Sequence, residues 1–90
     1  MKFKCKKTES LFNGKFVKQF SAFAPVAERK LQALDMATNV DDLRSPPGNR
    51  LEALGGDRQG SFSIRINKQY RICFGWEDGE AVDIEITDYH

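Results

Sequence analysis

The sequence is poor in the residues that build metal centres and disulfide scaffolds. Its 90 residues include two cysteines, Cys5 and Cys73, and one histidine, His90. Two cysteines so far apart predict neither a disulfide framework nor a zinc site, and a single histidine excludes most metal-centred chemistry. We therefore expect no bound metal and no cofactor.

Long apolar runs are also absent. No stretch approaches the roughly 18–20 apolar residues that cross a bilayer. The lysine-rich start lacks the apolar segment of a signal peptide, so we expect a cytoplasmic protein without a membrane partner. There is no internal repeat or linker, and 40% of the residues are hydrophobic and 30% charged. This composition and length predict one globular domain spanning residues 1–90.

The net charge of +1 conceals an uneven distribution of charge along the chain. Residues 1–30 contain eight lysines or arginines against two glutamates, whereas residues 77–90 contain six acidic residues and no lysine or arginine. Such asymmetry is typical of a protein whose basic surface contacts a polyanion. Alternatively, the acidic strand pairs with basic strands beside it, and the composition leaves both interpretations open.

The first half of the chain predicts helices. Lysines alternate with apolar residues over residues 2–6, which predicts a short edge strand. Residues 10–23 have no clear period and predict a loop that could contain one helical turn. Pro25 opens the clearest helix, whose apolar stripe faces a core and whose polar residues, Lys30 among them, face outward. Asn39 is suited to cap a second short helix, which ends before the Ser-Pro-Pro-Gly segment.

The second half predicts an antiparallel sheet. Apolar and polar residues alternate over residues 61–66, 70–76 and 82–87, and turn residues separate these runs. Residues 51–54 add a further short strand. The even-numbered strand residues, Val82 among them, supply an apolar face for the helices. We therefore predict an α+β fold in which two or three helices pack on one face of a curved antiparallel sheet.

The odd-numbered residues place two arginines, Arg65 and Arg71, together on the opposite face of this sheet. Two arginines on adjacent strands could bind a phosphate through paired hydrogen bonds, with a planar fork that lysine lacks. Alternatively, they form surface ion pairs with Asp83 and Glu85, each worth less than about 1 kcal/mol. The pattern alone leaves both interpretations open.

Asp88, Tyr89 and His90 directly follow a strand of the buried type. They offer a carboxylate, a phenol and an imidazole, and all three groups can transfer protons. Histidine is the side chain whose unperturbed pKa lies near neutrality. A lone terminal histidine is more often simply solvated, so a surface role is the alternative to catalysis.

Four segments together resemble the HigB/GraT-type toxins of the RelE superfamily, the toxic components of bacterial toxin–antitoxin pairs. They are AERKLQALDMAT (27–38), LRSPPGNRLEALGGDRQGSFSIRIN (43–67), QYRICF (69–74) and the terminal DYH (88–90). The segments follow the family's order and spacing, and the combination is more specific than any one of them. The resemblance implies a RelE-like fold, similar to that of small microbial ribonucleases.

The resemblance also implies a ribosome-dependent mRNA endonuclease that works in the ribosomal A site and inhibits translation. In such toxins a ribose 2′-OH attacks the adjacent phosphate and leaves a 2′,3′-cyclic phosphate and a 5′-OH. Arg71 matches the family's phosphate-stabilising arginine, and Asp88, Tyr89 and His90 match its terminal triplet. Asp88 or His90 would be the base and His90 or Tyr89 the acid, in an order that stays open.

Arg58, Arg65 and Lys68 are candidates for contacts to the RNA backbone. The best-studied branch of the family carries a histidine and a lysine where this chain has Glu52 and Gly55. Glu52 could therefore act as a base at the RNA or merely repel it. We read these departures as those of a weaker or differently tuned nuclease.

The resemblance implies three partners, namely a helix-turn-helix antitoxin of the HigA type, the ribosome and mRNA. A rival from another class is a catalytically weak or inactive RNA-binding protein that arrests translation by occupying the ribosome. A further alternative is a transcriptional co-repressor that acts with its antitoxin. Cleavage of mRNA distinguishes the first function from both rivals.

Overall fold

The computed structural model describes residues 1–88, and this part of the chain forms two α-helices and one four-stranded sheet. Short 3-10 turns connect them. Neither helix in residues 1–88 has the length and apolar character that a membrane crossing requires. The elements are α1 (Lys6–Phe12), α2 (Ala24–Met36), β1 (Glu52–Ala53), β2 (Ser61–Arg65), β3 (Tyr70–Glu77) and β4 (Glu80–Asp88).

The strands form an antiparallel sheet in the order β1-β2-β3-β4, which confirms the predicted meander and the short strand before it. Ile72 in β3 lies opposite both Ile64 in β2 and Ile86 in β4. Because side chains alternate along a strand, this register places the even-numbered residues of β2 and β3 on one face. Asp78 and Gly79 both have positive φ, 52° and 78°, as the tight turn between β3 and β4 requires.

Helix α2 supplies the layer that covers this apolar face. Pro25 lies at its start, where the missing N–H needs no partner. Ala27, Leu31 and Leu34 recur at helical spacing and are almost completely buried. Burial of each leucine contributes about 1.5–3 kcal/mol to the free energy of folding. The other members of the same core cluster are Leu11, Val17, Phe20, Phe23, Leu43, Ile64, Ile66, Ile72, Phe74, Ala81, Ile84 and Ile86.

A β-bulge changes which residues of β4 face the helices. The register between β3 and β4 shifts between Cys73 and Gly75, and Asp83 in β4 has a φ of 50°. The extra residue reverses the alternation at the start of β4, so Ala81 joins the core cluster. The prediction that Val82 belongs to the helix-facing side is therefore wrong.

The amino-terminal region differs most from the sequence-based expectation. Phe3 forms one isolated parallel bridge to Ile84, so the edge strand expected over residues 2–6 is reduced to a single pairing. The loop with one possible helical turn predicted for residues 10–23 is confirmed in part: a 3-10 turn, Lys18–Phe23, lies there, but the stretch begins with the end of α1 instead of a loop. Burial of aromatic side chains in the core stabilises this turn, although its sequence has no clear period.

The short helix predicted after Asn39 is present as a 3-10 turn, Val40–Arg44. Asp42 in this turn accepts hydrogen bonds from the backbone N–H groups of Thr38 at 2.9 Å and Asn39 at 3.3 Å. These bonds favour the ionised carboxylate, so they lower the pKa of Asp42. The capping residues therefore fix the connection between α2 and the sheet.

Candidate functional site

Arg71 of β3 is a buried arginine on the outer face, which is the face of the sheet opposite the helices; its exposed fraction is 7%. Its Nε donates to Ser63 Oγ at 2.8 Å, and its Nη2 donates to the carbonyl oxygens of Ser63 and Arg50 at 3.3 and 2.6 Å. Glu52 Oε2 lies 3.9 Å from the same Nη2. These contacts fix the plane of the guanidinium before any ligand arrives.

The loop before β1 supplies one of the carbonyl groups that Arg71 contacts. Asn49 is buried, and its Nδ2 donates to the carbonyl oxygens of Leu43 and Ser45 at 3.1 and 3.3 Å. The next residue, Arg50, has a left-handed backbone conformation with a φ of 45°. A residue with a Cβ adopts this conformation rarely, so the surrounding contacts must hold it. The resulting bend brings the Arg50 carbonyl to Arg71.

Arg71 forms part of the lining of a cleft of about 240 Å³, which we call the Arg71 cleft. Four of its lining side chains are cationic and one, Glu52, is anionic, which gives a formal excess of three positive charges. Such a concave cationic surface attracts anions, and its arginines can bind a phosphate through paired hydrogen bonds. The lining residues are Arg50, Glu52, Arg65, Asn67, Lys68 and Arg71.

The turn between β2 and β3 positions the two other predicted RNA-contacting residues of this cleft, Arg65 and Lys68. Asn67 Oδ1 accepts the backbone N–H groups of Gln69 and Tyr70, both at 2.8 Å, which closes the turn. Arg65 Nε donates to the carbonyl oxygen of Asn67 at 3.1 Å. Arg65 is therefore held against the turn, next to Lys68 in the same lining.

Lys30 of α2 is a further cation near this region that the sequence analysis placed on the solvent side. It is partly buried, and burial is the main cause that lowers its pKa. The positive charges of Arg65, Arg71 and Arg29 lower it further. Lys30 stands three residues after Ala27 and four before Leu34, so it borders the apolar stripe of α2. This position is the sequence signal that could have indicated its partial burial.

Arg58, the other predicted RNA-contacting arginine, lies outside the Arg71 cleft. Its Nη2 is 3.3 Å from Glu85 Oε1, and Lys4 Nζ is 3.8 Å from the same oxygen. These residues line a second cleft of about 300 Å³, the Arg58 cleft, together with Asp57 and Asp83. Glu85 thus pairs with Arg58 and Lys4, so the alternative in which Glu85 pairs with Arg65 or Arg71 is wrong.

Asp88 is the last described residue, whereas Tyr89 and His90 lie outside the described residues. Gln69 Nε2 donates to Asp88 Oδ2 at 2.9 Å. Asp88 is the register partner of Tyr70, and the preceding Thr87 is the partner of Arg71. Since side chains alternate along β4, Asp88 and Arg71 point to opposite faces of the sheet.

Two contacts of this site were not predicted from the sequence. The alternation of Ser63 with its apolar neighbours predicts its place on the outer face. Its hydrogen bond to Arg71 Nε could not be predicted, because it depends on the diagonal approach of β2 and β3. The Arg50 carbonyl has no sequence signature, because every residue carries one. In the described part of the chain no three metal-ligating side chains come together.

The arrangement offers two chemical capabilities. A rigid guanidinium at a cationic cleft can stabilise charge that develops on a phosphate. Glu52, whose side chain is half exposed, lies beside that guanidinium and can accept a proton. The cleft therefore combines an electrostatic stabiliser with an acid–base group.

Comparison with known proteins adds independent information. Residues 2–90 match the family model described as the RelE-like toxin of the type II toxin–antitoxin system HigB. The chain is also similar to Toxin HigB-1 of Vibrio cholerae, with 56% identity over 61% of this chain and 58% of that protein. It is 38% identical to Endoribonuclease HigB of Proteus vulgaris, over 68% of this chain and 65% of that protein. The matches thus span less than two-thirds of each relative.

An uncharacterized protein of Haemophilus influenzae is 46% identical over 71% of this chain and 63% of its own length. Among solved structures, a chain of the YoeB–YefM complex from Staphylococcus aureus has a TM-score of 0.64 with 19% identity. That similarity covers 99% of this chain and 93% of the other. At this identity the likeness concerns the fold, and it confirms the predicted RelE-like α+β architecture.

Proposed function

Because the chain belongs to the HigB family of RelE-like toxins of type II toxin–antitoxin systems, we propose that it is an endoribonuclease that cuts mRNA in the ribosomal A site. Cleavage there would inhibit translation and growth. The name of the Proteus vulgaris relative, Endoribonuclease HigB, supports this activity. The observation that carries the proposal is the buried, multiply hydrogen-bonded Arg71 in a cleft with excess positive charge.

The proposed reaction is attack of a ribose 2′ oxygen on the neighbouring phosphorus, with cleavage of the bond from phosphorus to the 5′ oxygen. The 2′ proton passes to a base, and the leaving 5′ oxygen receives a proton from an acid. Arg71 stabilises the extra negative charge of the phosphorane, with Arg65 and Lys68 on the flanking phosphates. The products are a 2′,3′-cyclic phosphate and a 5′-OH, and the reaction needs no cofactor.

Glu52 is the base that the described residues favour. It lies beside Arg71, whereas Asp88 points to the opposite face of the sheet. Tyr89 and His90 are retained as proposed acids because they match the terminal triplet of the family. His90 also remains the alternative base on that ground. Arg58 is proposed as a peripheral RNA contact, since Glu85 already pairs with it.

The proposal is tested by incubating the purified chain with mRNA-programmed ribosomes and mapping new 5′ ends by primer extension. We expect new ends within the codon in the A site, and fragments that carry 2′,3′-cyclic phosphate and 5′-OH groups. Arrested translation without new ends would instead indicate that the protein acts by occupancy. Cleavage at equal rates without ribosomes would contradict the ribosome dependence.

We further propose that an antitoxin of the helix-turn-helix HigA type neutralises this chain. The family assignment supports an antitoxin partner, and the structural neighbour comes from a toxin–antitoxin complex. Activity on ribosomes would place the protein in the cytoplasm. Co-expression with the protein encoded by the adjacent gene should give a complex that co-elutes on size exclusion and lacks nuclease activity.

A further inference from the structure

A second basic surface, which shares no lining residue with the Arg71 cleft, is built by α1 and the segment that follows it. A concavity of about 320 Å³ is lined there by Phe16 and four lysines, and we call this surface the Phe16 patch. Among the described residues that line it, no carboxylate is present. The lysines are Lys6, Lys7, Lys15 and Lys18, and all four are exposed.

Phe16 is 80% exposed, and with Met36 it makes up the exposed large apolar side chains of residues 1–88. Its neighbours do not share this exposure, because Val17 is buried and Leu11 at the end of α1 is almost completely buried. The fold therefore gains little stability from the Phe16 ring, since most of the ring remains in water. An exposed aromatic ring inside a cationic concavity is suited to a ligand that combines an aromatic surface with negative charge.

The backbone holds Phe16 in place although its side chain is exposed. Gly14 has a φ of 83°, and its N–H donates to the carbonyl oxygen of Leu11 at 3.0 Å. The N–H of Lys15 donates to the carbonyl oxygen of Ser10 at 2.9 Å. This closure of the helix end fixes the chain just before Phe16, and burial of Val17 fixes it just after. The ring is thus presented on an ordered segment, which lowers the entropic cost of binding.

We propose that the Phe16 patch is a binding site for single-stranded RNA, with a base stacked on Phe16 and the backbone phosphates at the surrounding lysines. Base stacking on an aromatic side chain together with a basic groove is the general mode of single-strand binding. The composition argues against a protein partner, because the core of a protein–protein interface is rich in apolar side chains and poor in lysine. This patch offers one exposed aromatic side chain among four lysines.

This proposal shares with the proposed function only the assumption that the ligand is RNA. The test of the Phe16 patch requires no cleavage. The probe is a fluorescent single-stranded oligonucleotide of about ten nucleotides, a length within the usual single-strand site sizes. Its riboses carry 2′-O-methyl groups, so the 2′ oxygen cannot attack. Binding to the full chain is measured by fluorescence anisotropy at several salt concentrations.

Phe16→Leu should weaken binding about 10-fold, because leucine keeps apolar surface but loses the stacking plane. Phe16→Trp should bind at least as tightly as the wild type. Met36→Ala, which removes the other exposed large apolar side chain, should leave affinity unchanged. Lys15→Gln together with Lys18→Gln should reduce the slope of log K against log salt by about 1.4, since each phosphate contact on a single strand contributes about 0.7.

The same oligonucleotide without bases provides the sharpest control. Wild type and Phe16→Leu should bind it equally, because no base remains to stack. Equal binding of the base-containing probe by these two proteins would overturn the proposal, as would absence of binding by the wild type. Phe16-dependent binding of an acidic peptide, with no such dependence for RNA, would show that the patch serves a protein partner instead.

Discussion

The outer face of the sheet carries two polar clefts that differ mainly in how their charges are paired. The Arg71 cleft contains four cationic side chains and one carboxylate, whereas the Arg58 cleft contains two cationic side chains and three carboxylates. In the Arg58 cleft, Glu85 contacts both cations. In the Arg71 cleft, neutral oxygen atoms of Ser63 and Arg50 hold the central guanidinium. The cationic side chains of the Arg71 cleft therefore outnumber its carboxylate, and this excess of positive charge attracts an anion.

The largest expected effect separates the central arginines of the two clefts. Arg71→Gln should lower the rate of mRNA cleavage on ribosomes by about 100- to 1,000-fold, because it removes the group proposed to stabilise the phosphorane. Arg58→Gln should lower the rate only a few-fold, since Glu85 already pairs with that charge. Single-turnover cleavage rates measure both. Equal losses in the two variants would contradict the distinction between the clefts.

Glu52→Gln tests the acidic residue of the Arg71 cleft. If Glu52 is the base, its loss should lower the cleavage rate about 100-fold while binding of uncleavable RNA stays the same or increases. The same rate measurement, together with anisotropy on a 2′-O-methyl oligonucleotide, gives both values. A faster variant would show that Glu52 only repels RNA, and the base would then have to be sought in the terminal triplet.

The residues that support the two clefts should differ in their contribution to stability. Asn49→Ala leaves the carbonyl groups of Leu43 and Ser45 without their donor, which should cost about 1–3 kcal/mol of unfolding free energy. Glu85→Gln breaks partly exposed ion pairs and should cost less than about 1 kcal/mol. Thermal unfolding followed by circular dichroism measures both. A larger loss for Glu85→Gln would reverse this ranking.

The smallest effect concerns Lys30 and depends on pH. Its pKa is lowered in the folded protein, so around that pKa the unfolded chain binds more protons and stability rises with pH. Lys30→Met removes the partly buried charge, so it should raise the Tm slightly at neutral pH. This advantage should shrink at alkaline pH, where the wild-type lysine loses its proton. An advantage independent of pH would show that the charge of Lys30 is not its cause.

The sequence predicted those parts of the fold in which a period and a turn agree. Alternation over β2 and β3, the turn at Asp78 and Gly79, and Pro25 at the start of α2 each have a local cause that the residues display. No local sequence pattern indicates the bulge at Asp83, because the shift in register arises from how β3 and β4 pair. Helix α1 was missed because its stability comes from packing against α2 and β4 rather than from its own pattern.

For the candidate site, the family resemblance identified Arg71, and strand alternation placed it with Arg65. What holds Arg71 could not be predicted, since a left-handed residue at Arg50 and a diagonal contact to Ser63 depend on tertiary structure. The register pairs Arg71 with Thr87 and Tyr70 with Asp88, so the side chains of Arg71 and Asp88 leave the sheet on opposite faces. The joint action of Arg71 and the terminal triplet on one phosphate stays a prediction.

The central claim is that the scissile phosphate of the RNA binds at Arg71, whereas Arg58 contacts the RNA only outside the cleavage site. Nitrogen-detected NMR of the arginine Nε–H groups tests it directly, during titration with a dinucleotide whose attacking ribose lacks the 2′-OH. We expect the Arg71 signal to shift with saturable dependence on the dinucleotide, while the Arg58 signal stays in place. A saturable shift of Arg58 with no change at Arg71 would contradict the account.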